Sequence, residues 1–328
     1  MAQRTPHGAG RYCLLAALLA LAACHLDQHD RADRLDSMAL ATRGARFERT
    51  RARPQPGEPR DPPIARWLLP DKLAEISGLA LTADGRLLTH GDEAGRVFEL
   101  DYRRGVVVKE FTVGNPAVRG DFEAIAVVRD SVLLLTSNGD LYAFREGANG
   151  NRMGYTRRDT RLGSLCEFEG LAFDPASNSL LLACKTVWAK NLRDSLVIVR
   201  WKVERGSAAP LSRLTVPLAR AIGSNRWNGL HPSDITIDPL NGNYVLLASR
   251  ENALVEITPT GRVLWARPLP GEHAQPEGVA ITRDSILIVS DERSLGLSRE
   301  HPHRRPQDAG AVITLYRWPL ARTRSGAP

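Results

Sequence analysis

Glu75-Ile-Ser-Gly-Leu-Ala, Glu123-Ala-Ile-Ala-Val, Glu169-Gly-Leu-Ala-Phe, Asp234-Ile-Thr-Ile-Asp and Glu277-Gly-Val-Ala-Ile are five versions of one phrase. An acid comes first, a small residue follows within one or two places, and an apolar run closes the phrase. Each copy opens a strand-like run, and a second apolar run follows after a short turn. A period of roughly 40 to 50 residues made of short strands marks a radial or stacked repeat, most often a β-propeller. One carboxylate at the same phase of each repeat predicts a ring of carboxylates around the shared axis.

Outward from the phrases, each repeat holds up to four strand-like runs. They are separated by turn pairs such as Asp84-Gly85, Asn138-Gly139, Asp174-Pro175, Asn241-Gly242 and Thr260-Gly261. In the second repeat the fourth run, Tyr155–Leu162, is the weakest. No segment shows a sustained helical period. The fifth repeat ends one strand short, and Ile64-Ala-Arg-Trp-Leu-Leu, just before the first repeat, is the candidate for the missing strand. Pairing it with the last unit closes the ring and removes open edges. The expectation is an all-β fold: a single five-bladed β-propeller of four-stranded blades over residues 64–320, closed by an N-terminal strand, with residues 321–328 as a tail.

The chain has 328 residues, 43% of them hydrophobic and 25% charged, with a formal net charge of +7. The charge is spread along the chain, with no long basic helix and no aromatic-basic sheet motif, so nucleic acid is not an expected partner. The protein is expected to be monomeric. Residues 1–23 read as an export signal, with Arg4 and Arg11 in a charged leader and Cys13 to Ala23 as an apolar stretch too short to span a membrane. The ending Leu21-Ala22-Ala23-Cys24 looks like a lipobox, which makes Cys24 the expected lipidated N-terminus and the bacterial cell envelope the expected location. His25 after the cysteine, rather than Asp, favours the outer membrane, facing the periplasm. Residues 24–63 are Arg-rich and then Pro-rich, and are expected to be a lipidated, disordered tether. Its arginines are either a solvated spacer or a contact with anionic lipid.

In a propeller the first strand of each blade lines the channel. The acids Glu75, Glu123, Glu169, Asp234 and Glu277 should therefore meet at one mouth, together with the long loops Lys185–Asp194, Ala219–Ser233 and Arg293–Gly310. Two readings stand for the ring. Each carboxylate caps backbone N–H groups at a blade junction, or the ring holds a cation that relieves its repulsion. All-oxygen ligands point to calcium or another hard divalent cation such as magnesium. Zinc is not expected, since no Cys/His cluster has suitable spacing. His231 is a candidate second contact or a turn histidine, while Lys185 and Arg250 are candidates for holding an anionic ligand. His301 and His303 lie in a basic loop and carry little weight.

The succession Glu75-Ile-Ser-Gly-Leu-Ala, Gly120-Asp-Phe-Glu-Ala-Ile, Glu167-Phe-Glu-Gly-Leu, Pro232-Ser-Asp-Ile and Gln275-Pro-Glu-Gly-Val, ending Val289-Ser-Asp-Glu, resembles the SdiA-regulated family of bacterial envelope proteins over about residues 65 to 320. That resemblance implies a five-bladed propeller with a bound calcium, distantly similar to NHL-repeat propellers. The loop Arg293–Gly310 and the Arg-rich tether look like additions to the pattern.

Besides Cys13 in the leader and Cys24, the cysteines are Cys166 and Cys184. They flank a hairpin turning around Asp174–Asn178, and an exported compartment permits a disulfide between them. A pair of free buried thiols is the alternative. Two function classes follow. One is a membrane-anchored module that binds a ligand or partner at the metal-bearing mouth. The other is a metal-dependent hydrolase of phosphate esters, lactones or other esters, in which the ion polarises the substrate and a ring carboxylate acts as base. A scaffold that works through its blade edges and needs no metal is a third arrangement.

Overall fold

The computed structural model describes residues 36–52, 61–203, 211–293 and 310–320. Five antiparallel sheets follow one another along residues 64–320. Blade I comprises Ile76–Leu81, Leu87–Gly91, Arg96–Asp101 and Val106–Val113. Blade II comprises Phe122–Val128, Ser131–Thr136, Leu141–Arg145 and Tyr155–Arg158. In blade III the strands are Cys166–Asp174, Ser179–Val187, Ser195–Lys202 and Leu211–Pro217. Blade IV holds Pro232–Ile237, Tyr244–Ala248, Ala253–Ile257 and Val263–Pro268. Blade V holds Pro276–Ile281, Ile286–Asp291 and Val312–Arg317.

The fourth strand of blade V is Ala65–Leu68, which pairs antiparallel with Val312–Arg317. The short fifth repeat and the spare N-terminal run thus complete each other. The inner strands contact one another in the order I–II–III–IV–V and back to I, so the ring is closed. Blade II's outer strand stops at Arg158, and a two-residue strand, Arg152–Met153, leaves that connection to pair in parallel with Val106–Val113 of blade I.

Blades pack face to face, so their middle strands are buried on both sides and read as unbroken apolar runs rather than as alternation. Tyr244–Ala248, Tyr-Val-Leu-Leu-Ala, is buried at every position. The resulting core lies between blades: Leu181, Ile198 and Leu214 of III meet Tyr244, Leu246 and Val255 of IV, and Val245, Leu247 and Leu254 of IV meet Val279, Leu287 and Val289 of V. Acids at the turns after the inner strands join the blades further. Tyr244 donates its hydroxyl hydrogen to Asp174 of blade III at 2.8 Å, and the Trp318 indole N–H reaches Asp238 of blade IV at 2.9 Å.

The described residues also include two helices. The segment expected to be an unstructured tether contains a helix over residues 36–52. Ala39, Leu40, Ala41, Ala45 and several arginines are strong helix formers, and half-buried Leu40 and buried Phe47, seven residues apart, share one face of the helix. A second, five-residue helix, Leu218–Ile222, follows blade III. Cys24 lies outside the described residues, and among those described no helix is long and apolar enough to cross a membrane.

Cys166 and Cys184 form a disulfide, with Cα atoms 5.7 Å apart. They are not directly opposite: Cys166 faces Val187, and Cys184 faces Phe168. The inner strand carries an extra residue here, Glu169, and the second strand carries a compensating one, Lys185, so the ladder stays in step and the bridge runs diagonally.

Candidate functional site

That extra residue recurs in every blade. The inner strand slips register against its neighbour between Ile76 and Gly78, Phe122 and Ala124, Phe168 and Gly170, Pro232 and Asp234, and Pro276 and Gly278. The bulged residues are therefore Ser77, Glu123, Glu169, Ser233 and Glu277. A bulge leaves one residue out of the ladder and re-aims its side chain. Three of the five expected acids, Glu123, Glu169 and Glu277, occupy this shared position. Glu75 and Asp234 do not: Glu75 lies two residues earlier, and Asp234 one residue later. Serines stand in their places, with Ser77 Oγ donating to the Glu123 carbonyl at 3.3 Å and Ser233 Oγ to the Pro276 carbonyl at 2.9 Å.

The positions just after the bulges are Gly78, Ala124, Gly170, Asp234 and Gly278. Four of them are small because the inner strands nearly touch here. A Cβ on Gly170 would lie 3.0 Å from the Ile235 nitrogen, and one on Gly278 would lie 2.8 Å from Leu79 Cγ. Asp234 is the exception and is buried. Its Oδ2 accepts the Val279 N–H at 2.8 Å and its Oδ1 accepts the N–H of Ile235 at 2.8 Å. The N–H groups of Leu79 and Leu171 also bond to it. One carboxyl thus gathers backbone donors from blades I, III, IV and V. Burial pushes its pKa well above the usual carboxylate value, against the pull of these donors. Asp234 is a cap on the axis, and its oxygens are already taken.

The three bulged glutamates form a coupled set around one amine. Lys185, the residue after Cys184 on blade III's second strand, donates from Nζ to Glu169 Oε1. Burial works against the lysine charge, but Glu169, Glu277 and Glu167 outweigh it and raise the Lys185 pKa. Glu169 has a side chain only 5% exposed, and its Oε2 is buried with no hydrogen-bond partner. Burial lifts its pKa to about 8 despite Lys185, with the Glu277 charge adding to the rise. Glu123 is pushed to about 9 by burial and by the charges of Glu169, Asp121 and Glu277, with Lys185 opposing. The Glu277 pKa is raised by burial too, against Gln275, Lys185 and Ser249.

A further tier surrounds these groups where the second strands end, at Asp92, Ser137, Lys185, Ser249 and Glu292. Burial, then Glu277, Asp92 and Glu75, push Glu292 to about 7, while Gln275 bonds to it and opposes the shift. The Asp92 pKa is raised chiefly by burial, and that of Glu75 chiefly by the neighbouring Asp92 charge. Of the other expected contacts, His231 gives its backbone N–H to Glu251 at 3.0 Å and pairs its ring Nδ1 with the same carboxylate at 2.8 Å. Arg250 is exposed. Lys185 does not wait for an anionic ligand, because Glu169 holds it. Loop residues 294–309, with His301 and His303, lie outside the described residues.

What the sequence reading missed is the neutralising role of Lys185 and the offset of Glu75 and Asp234. A signal for the last was present. Two places before the apolar anchors Leu79, Ile125, Leu171, Ile235 and Val279 stand Ser77, Glu123, Glu169, Ser233 and Glu277. Counting back from the anchors, rather than aligning on acids, finds the true ring.

For a hard cation, the donor chemistry fits. Carboxylates from three blades act on one another through their charges, and one of their oxygens is an orphaned buried acceptor. Among the described residues no group of three or more His, Cys, Asp or Glu side chains is already drawn together as a metal-ligand set. The Lys185 ammonium occupies part of the role a metal would have.

No curated protein matches this chain. Solved structures similar to it include Myxococcus xanthus glutaminyl cyclase, 14% identical, with a TM-score of 0.50 over 81% of this chain and 100% of that one. A Bacteroides caccae protein of unknown function is 15% identical, with a TM-score of 0.38 over 62% of this chain and 64% of that one. Streptogramin B lyase is 17% identical, with a TM-score of 0.39 over 70% of this chain and 65% of that one. The chain thus spans less than two thirds of the length of the last two, and at these identities likeness bears on fold alone. The family model for SdiA-regulated proteins matches residues 220–308. That stretch carries the inner strands of blades IV and V, with Ser233, Asp234 and Glu277, so this part of the five-bladed ring is what is similar to the SdiA-regulated family.

Proposed function

We propose that this propeller is a binding module of the cell envelope whose channel mouth takes a divalent cation, calcium first, on Glu123, Glu169 and Glu277. The observation that carries the reading is the Glu169 carboxylate: one oxygen is held by Lys185, and the other is buried without a partner. An unsatisfied buried acceptor costs about 1–3 kcal/mol, and more when charged. A cation removes that cost and the mutual repulsion of the three acids together. An orphan acceptor calls for a donor or a cation rather than a nucleophile, which favours binding over hydrolysis. Bound calcium would supply charge neutralisation and tie three blades at one point. Anchoring through a lipidated Cys24 is part of the same proposal. Calorimetric titration of the chelated protein with calcium tests the site. One saturable event, weakened at least tenfold in Glu169→Gln, is expected. No binding heat in either protein, with no metal in the purified chain, would remove calcium from the account.

A further inference from the structure

Apart from the mouth, a cleft of about 500 Å³ opens on the flank where blade III meets blade IV, lined by Arg220, Thr260, Gly261, Arg262 and Val263. Its size is that of a small-molecule site, roughly 300–1,000 Å³. No acid stands among these lining residues.

Both walls of the cleft are held in place. On the helix Leu218–Ile222, the end residues are four apart, so they share one face, and that face packs against the III–IV core as Val263 does. Arg220 lies off this face and is exposed. Opposite, residues 258–262 form a tight turn. The Thr258 N–H reaches the Arg262 carbonyl at 2.9 Å, the Gly261 N–H reaches the Thr258 carbonyl at 2.9 Å, and the Arg262 N–H reaches Thr258 Oγ1 at 3.1 Å. Gly261 has φ +87°, and a Cβ there would lie 2.9 Å from Leu214 Cδ1, so only glycine lets the turn seat against blade III. Arg200 of blade III donates to the Pro259 carbonyl and ties the turn from the other side.

Two arginines thus border one cleft from two fixed elements. Among the described residues neither the Arg220 nor the Arg262 guanidinium has a hydrogen bond or ion pair, whereas Arg86, Arg157 and Arg293 each hold a carboxylate. The Thr258 and Thr260 hydroxyls are 2.9 Å apart, and when Thr258 donates, the Thr260 hydrogen is left for a ligand. We propose that this cleft binds a phosphate monoester. Its dianion matches two guanidinium charges, and its three terminal oxygens match two N–H forks and a hydroxyl, one acceptor more than a carboxylate offers. Val263 supplies an apolar floor for the esterified group. A soluble glycerol or sugar phosphate and the monoester headgroup of a lipid both present that chemistry.

The test is calorimetric titration of the intact protein, at physiological salt so that unspecific attraction is screened. Glycerol 3-phosphate is the soluble probe, dibutyryl phosphatidic acid its short-chain lipid counterpart, and glycerol the neutral control. Saturable binding of a phosphate probe and none of glycerol is expected. Arg220→Gln and Arg262→Gln should each weaken that binding about tenfold. Arg213→Gln removes an exposed arginine that does not line the cleft, and should leave it unchanged. Tighter binding of phosphatidic acid would assign the site to a lipid headgroup, and tighter binding of glycerol 3-phosphate to a soluble ester. No binding of either probe, binding of glycerol as well, unchanged affinity in Arg220→Gln and Arg262→Gln, or equal weakening in all three variants would each overturn the proposal.

Discussion

At the scale of residues, Asp234 and Lys185 do opposite things with buried charge. Asp234 is the acid that backbone donors satisfy, so replacing it tests stability alone. Asp234→Asn keeps the shape but turns one carboxyl oxygen into an NH2 group facing N–H donors. A loss of about 2 kcal/mol or more in urea unfolding is expected, with calcium binding retained. An unchanged midpoint would mean that the N–H groups of Leu79, Leu171, Ile235 and Val279 do not depend on it. Lys185 is instead the resident cation of the three glutamates. In Lys185→Met the acids lose their internal neutraliser, so calcium should stabilise that variant more than the parent, read as the difference in melting temperature with and without chelator. An equal or smaller calcium effect would separate Lys185 from the site.

The elements make these residue contacts possible, through a bulge and a small residue repeated five times. Five apolar runs with turn residues between them made the blades legible in the sequence, and the spare strand Ile64–Leu69 made ring closure legible too. The bulge was not legible, because an extra residue in a strand leaves no mark in an apolar pattern. Aligning on acids therefore merged three positions into one, placing Glu75 and Asp234 beside Glu123. Tertiary contacts such as Lys185 to Glu169 were equally hidden, since a lysine at a strand end is ordinary in composition. Helix 36–52 escaped for another reason: its helix formers are mixed with charge, and only Leu40 and Phe47 mark its buried face. The collar of small residues has a direct test. Gly170→Val places methyl groups where a Cβ is already 3.0 Å from the Ile235 nitrogen, so the inner strands must separate. A cost of roughly 1–3 kcal/mol or more is expected, with the calcium response weakened. The disulfide closes a hairpin with a sequence separation of 18, and reducing it should cost about 2–3 kcal/mol at most, read as a lower urea midpoint.

For the molecule as a whole, the raised acids at the mouth couple folding to both protons and cations. Glu123, Glu169 and Glu292 have folded pKa values of about 9, 8 and 7 against an ordinary value of 4.5. The folded state therefore holds protons that the unfolded chain has released. Their contribution to stability is fully present below about pH 4.5 and is lost as pH rises through 7 to 9. Calcium competes for the same oxygens, so it must displace those protons, and its stabilisation should grow over the pH window in which they leave. Melting temperature measured with calcium and with chelator, at pH 5.5 and at pH 8.5, for the parent and for Glu169→Gln, tests the mouth as a cation site most directly. The account predicts a calcium-induced rise that is small at pH 5.5, large at pH 8.5 and reduced at both in the variant. A melting temperature indifferent to calcium at pH 8.5, or a rise of the same size in Glu169→Gln, would contradict it.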